Sequence, residues 1–128
     1  MKPDQYIGYV LLNTTAVTAI TSTRVNYGLR PTGTVLPAIN FYDIAGVGKA
    51  NGLDNGVYSI NCRAATARAA RDLADLVQST FVGSDATGTS GNASTFSAIR
   101  VSLVRSGGLI TEPDDSCFNA PVDIRVIS

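Results

Sequence analysis

The sequence predicts an α+β fold, an antiparallel sheet of four or five strands with two helical elements packed on one face. Three observations predict it. Several segments alternate apolar and polar residues with period two, as half-buried strands do; Tyr58, Ile60 and Cys62 against Ser59, Asn61 and Arg63 is one such run. Immediately after it, Leu73, Leu76, Val77, Thr80 and Phe81 recur at helical spacing, with Arg68, Arg71, Asp72, Asp75 and Gln78 on the other side. Finally, the apolar sets of the strands fit a single face. Ile39, Phe41, Tyr58, Ile60, Cys62, Ile99, Val101, Leu103, Val122, Ile124 and Val126 share it, while Asn40, Ser59, Asn61, Arg63, Arg100, Ser102, Asp123 and Arg125 take the reverse. That pattern belongs to an antiparallel sheet covered by helices on one side.

Along the chain, Pro3 and Asp4 read as a helix start, followed by an apolar stripe of Tyr6, Ile7, Val10 and Leu11. Asn13 and Thr14 interrupt it. Thr14 or Thr15 caps a further turn or two, in which Val17 and Ile20 continue the buried side. Residues 24–29, "RVNYGL", read as a strand, and "RPTGTVLP" as a loop bounded by Pro31 and Pro37. "AINFYDI" (38–44) is the next strand. The glycines and asparagines of "AGVGKANGLDNG" (45–56) predict a long mobile connection between two strands that a tight turn would have joined. "GSDATGTSGNAS" (83–94) is a biased, flexible segment. Strands follow at 96–106 and 120–128, and Pro121 assigns the last to a sheet edge or a bulge.

The chain has 128 residues, the usual size of one domain, and folding should bury roughly two-thirds of its unfolded surface. Charged residues make up only 16%, so much of the surface must be neutral. Ten basic and ten acidic side chains cancel, which leaves no long-range field to draw the chain onto DNA or an anionic membrane. No apolar run approaches the roughly 20 residues of a membrane span, and the start shows no secretion signal, which fits a cytosolic protein. In that reducing setting Cys62 and Cys117 are expected not to pair, with Cys62 filling core on its strand.

Chemistry is sparse. The absence of histidine removes the commonest general base and metal ligand. Glu112, Asp114 and Asp115 in "TEPDDS" could hold a hard cation through carboxylate oxygens, although Pro113 beside paired aspartates suits a solvated turn better. "GVGK" (46–49) fails as a phosphate loop, because Asp43 stands where the first glycine belongs and Ala50 follows the lysine. No serine or cysteine has an activating setting. Arg68 and Arg71 each have an aspartate four residues on, at Asp72 and Asp75, which suits an ordinary solvated helix face. The residues by themselves thus predict no catalytic site, cofactor or metal, with a small ligand-binding domain or enzyme on the sheet's polar face as the alternative.

From Tyr6 to Phe81 the order of features resembles the tail completion, or tail terminator, proteins of tailed bacteriophages. The resemblance lies in "YIGYVLLNTTAVTAITSTRV", in "YGLRPTGTVLPAINFY", where a basic residue and a turn precede Leu36, Pro37 and a strand, and in "GVYSINCRAATARAARDLADLV", where a strand runs at once into a helix rich in alanine, arginine and leucine. It implies a single terminator-like α+β domain over residues 1–128. It further implies a virion structural protein, assembled in the bacterial host cytoplasm as a homo-oligomeric ring, usually of six. Such a ring stops tail-tube growth at the head-proximal end and joins the tube to the head connector, and DNA only passes through its lumen. Another neck or connector component is the neighbouring possibility. The interface residues expected on this reading are Val47 and Leu53, apolar groups without an obvious place in the core, Lys49 and Asp54, opposite charges suited to a polar rim, and Arg63, Arg100 and Arg125 of the polar sheet face.

Overall fold

A computed structural model describes residues 3–28, 35–50, 53–81, 100–106, 108, 110–112 and 117–127. Among the described residues, three helices and six strands follow in the order α1 (Pro3–Asn13), α2 (Thr15–Thr21), β1 (Val25–Tyr27), β2 (Ala38–Ala50), β3 (Leu53–Ala64), α3 (Ala67–Phe81), β4 (Arg100–Ser106), β5 (Ile110–Glu112) and β6 (Cys117–Ile127). The fold is α+β. Its sheet has the order β1-β2-β3-β6-β4, with β5 pairing β6 beside β4. All pairs are antiparallel except β1 with β2, which is parallel. The crossover from β1 to β2 contains Pro37 and returns the chain in the same direction, so this pair cannot be a hairpin.

The expected two helical elements are three helices because the chain turns at Thr14. Its backbone is extended (φ −92°, ψ 108°), and its hydroxyl donates back to Val10 O at 2.7 Å instead of capping α2. Asn13 does the same to Tyr9 O at 2.9 Å, the competition with helix hydrogen bonding that these residues offer. In α2 Val17 is buried, but Thr21 and not Ile20 is its other buried residue. Arg24 then ties the exit of α2 to the start of β2, donating from Nε to Pro37 O at 2.9 Å and from Nη2 to Ile20 O at 3.2 Å. Gly28 ends β1 at φ +86°, a left-handed turn that suits glycine.

Helix α3 begins at Thr66, whose Oγ1 accepts from Ala69 N at 3.2 Å as an N-cap. Ala70, Leu73, Ala74, Val77 and Phe81 form its buried stripe, and Asp72 and Asp75 face solvent. Those residues meet Ile39, Phe41, Tyr58, Ile60, Cys62, Val122, Ile124 and Val126 from the sheet and Tyr6, Ile7, Leu11 and Val17 from α1 and α2 in one core. Val101 joins it and Leu103 packs against it; Ile99, expected there too, lies outside the described residues. Cys62 and Cys117 are both buried and are not joined in a disulfide.

Further expectations change. Residues 45–50 and 53–56 are not a loop: they continue β2 and β3, with Gly48 opposite Asn55, Lys49 opposite Asp54 and Ala50 opposite Leu53. Only residues 51 and 52 remain between the strands. They read Asn-Gly, the pair that two-residue hairpins favour because both positions need positive φ. The glycines and asparagines on either side of them therefore lie in two irregular strands, with register shifts between Asp43 and Ala45 and between Ala45 and Gly48.

Pro121 does not make β6 an edge or a bulge, since β6 lies between β3 and β4. On one side Pro121 stands opposite Asn61 of β3; on the other, β5 ends its pairing at Asn119 and β4 begins at Val122. On that second side no described pairing reaches Pro121, a setting that tolerates a residue without an N–H.

The central part of the face away from the helices is polar but buried. Asn40, Ser59, Asn61, Asn119 and Asp123 are all nearly inaccessible, at 2–6%. Glu112 pairs opposite Cys117 as the end of β5 rather than in a turn, while Asp114, Asp115 and the 83–94 segment lie outside the described residues.

Candidate functional site

Without a catalytic cluster, the features that can act are surfaces, and the sheet topology decides which are available. Among the described residues no three of cysteine, aspartate and glutamate gather as a metal site, and no helix is long and apolar enough to cross a membrane. Cys62 is deep in the core, where burial pushes its thiol up to about 12 despite the opposing charges of Arg63 and Arg71. It stays a neutral thiol at physiological pH and is no nucleophile.

The residues expected at an interface separate along the sheet. Lys49 and Asp54 stand opposite each other next to the hairpin turn, Leu53 beside them, and Val47 lies in the irregular stretch before Gly48. Level with them, Asn55 of β3 pairs Ile127 of β6, which pairs Arg100 of β4. Arg125 is two residues further in, opposite both Val57 and Ser102. One end of the sheet therefore brings together Val47, Lys49, Leu53, Asp54, Arg100 and Arg125. Arg63 is not among them. It pairs opposite Asn119, six positions from Arg125 along β6 and so about 20 Å away at the usual strand rise. Both Arg63 and Arg125 are half-buried.

Sequence patterning passed over a second set. Tyr27, Tyr42, Ile44 and Val104 are large apolar side chains between 41% and 53% exposed, all on or next to the sheet's border strands. Tyr27 packs edge-on against Phe41 (5.4 Å between ring centroids) and donates its hydroxyl to Asp43 Oδ1 at 2.8 Å. Tyr42 and Ile44 follow Phe41, where β2 runs past the end of β1. Val104 is the residue skipped by the register shift between Leu103 and Arg105. A signal existed for three of them: Leu103-Val104 puts two apolar residues in succession, and Tyr42 and Ile44 put apolar groups on positions that the alternation assigns to the polar face.

The fold and its surfaces thus describe a mixed but mostly antiparallel sheet, helices on one face, a buried polar opposite face and apolar groups on open borders. The same fold occurs in a solved chain of the "Virion of native gene transfer agent (GTA) particle". The likeness has a TM-score of 0.67 at 15% identity and covers 98% of this chain and 93% of that one. No family model matches the sequence, and no curated protein matches it.

Proposed function

We propose that this chain is a structural virion protein of a phage-like particle, one that forms a ring at the head-proximal end of the tail, ends tube polymerisation and joins tail to head. The observation that carries this reading is the end-to-end likeness to a chain of a gene transfer agent virion, in which neither protein has a large part left over. The order of sequence features from Tyr6 to Phe81, similar to tail terminators, supports the particular position in the tail. A non-enzymatic role fits the inert buried thiol and the lack of histidine.

On this reading the hairpin end of the sheet, with Val47, Lys49, Leu53, Asp54, Arg100 and Arg125, meets the adjacent subunit or the last ring of the tail tube. Its opposite charges give orientation without adding net charge. Native mass spectrometry of the purified chain, alone and mixed with tail tube protein, tests the reading. A closed ring or a capped tube supports it; a persistent monomer that ignores the tube refutes it. Binding to head connector protein without any effect on tube length would instead favour another neck component, which the same fold likeness also accommodates.

A further inference from the structure

Among the described residues the sheet has two open borders. On one, β1 covers only Ile39–Phe41 of β2, and among the described residues no strand lies beside the outer edge of residues 42–50. On the other, among the described residues β4 pairs with β6 alone. An unpaired edge presents a row of free N–H and C=O groups, and proteins that must keep such an edge unpaired cover it with charge or proline. Here the exposed positions include large apolar side chains, with Asp43 the charged group among them. Tyr42 and Ile44 are 41% and 44% exposed on the first border, and Val104 is 51% exposed on the second.

The two borders also match in direction and length. β2 is antiparallel to β3, β3 to β6 and β6 to β4, so β4 runs opposite to β2. If successive sheets wrap around a common axis, rotation about that axis preserves the sense of every strand. β4 of one copy then meets β2 of the next in antiparallel fashion, the better hydrogen-bonded arrangement. The seven residues of β4 fit within the nine residues 42–50. Register shifts interrupt both border strands, and bulges supply the local bend that a sheet closing on itself requires. A twofold pairing of β4 with β4 would leave the β2 border open, whereas head-to-tail pairing uses both borders and closes.

We infer that a second copy of this chain lays its β4 antiparallel along residues 42–50 of β2, so that the sheets of neighbouring subunits continue into one another. This deepens the ring reading above and rests on it. The test uses the full chain carrying Val104→Cys together with either Tyr42→Cys or Ile44→Cys, treated with a short bifunctional maleimide; the native cysteines are buried, and the unsubstituted chain is the control. At least one double variant should give a covalent ladder ending at the ring size, while an equal mixture of the corresponding single variants should stop at dimers. Dimers from Val104→Cys alone would mean twofold pairing and overturn the inference. So would rings seen by native mass spectrometry in which neither double variant cross-links, and that result leaves the ring reading standing. A monomer in every condition overturns both. Val104→Lys, at an exposed site, should dissolve the oligomer without changing subunit unfolding in denaturant, and an oligomer that survives it also counts against the strand pairing.

Discussion

Asn119 Nδ2 donates a 2.8 Å hydrogen bond to Asn61 Oδ1 across β6 and β3, on the sheet face that no described helix covers. Both side chains are buried, at 4% and 3%, and Asn40, directly opposite Asn61 on β2, is buried as well, donating to Gly28 O at 2.9 Å. A polar row across three central strands is costly to bury unless it is hydrogen-bonded. Its bonds therefore help fix which side of the sheet faces the helices.

Asn119→Ala should thus destabilise the subunit by about 1–3 kcal/mol, the range for stranding a buried polar partner. Replacing Asn61 and Asn119 together by leucine should cost less than the sum of the two single leucine variants, because the double change strands neither amide. Urea unfolding of the four proteins checks this; strictly additive losses would mean the two residues are not coupled.

Burial of the helix-facing side was legible from alternation alone. Ile39, Phe41, Tyr58, Ile60, Cys62, Val122, Ile124 and Val126 are all in the core, because a period-two pattern admits only one arrangement once a face must be buried. Burial of the reverse face was not legible. Asn, Ser and Asp at alternate positions look the same in sequence whether they meet water or each other, and their partners are 58 residues apart in the Asn61–Asn119 case. The hairpin was missed for a different reason. Asn51-Gly52 is a strong turn signal, but the glycines on both sides of it obscured the strands it joins. Pro121 misled because the gap that accommodates it arises from two other strands ending beside it.

Ile60 and Leu73 face each other's layer of the core, both essentially inaccessible. Ile60→Ala or Leu73→Ala should each cost about 2–5 kcal/mol through lost burial and the cavity left behind. Thermal unfolding of the subunit reports it, and an unchanged midpoint in both variants would sink the face assignment.

Cys62 gives a pH signature. Its thiol is raised from 9.0 to about 12 by burial, so the folded state holds the proton where the unfolded chain releases it. The sign follows: this contribution to stability is fully present below about pH 9 and is lost as pH rises toward 12. Tyr6, also raised by burial, acts in the same direction at higher pH. Cys62→Ala should therefore flatten the alkaline fall in stability between pH 8 and 10.5 relative to the parent, measured by urea midpoints. A fall of equal steepness in both proteins would show that Cys62 does not titrate on unfolding.

The hairpin end can be shortened without touching the core. Deleting Lys49, Ala50, Leu53 and Asp54 removes the two cross-strand pairs next to the turn and leaves Gly48 opposite Asn55, with Asn51-Gly52 still between them. No core residue is lost, since the cluster's nearest members on these strands are Phe41 and Tyr58. β6 keeps its whole ladder with β3, which ends at Asn55 opposite Ile127. The shortened chain should accordingly fold with nearly the parent's urea midpoint. If the hairpin end meets a neighbouring subunit or the tube, as proposed above, assembly is where the loss should appear, because those four residues lie beyond the last β3–β6 pair. Tube-capping assays with the shortened chain, read by electron microscopy of tube lengths, should show overlong tubes or tubes without a cap. Tubes of normal length, capped at normal occupancy, would mean that this end of the sheet has no part in the contact.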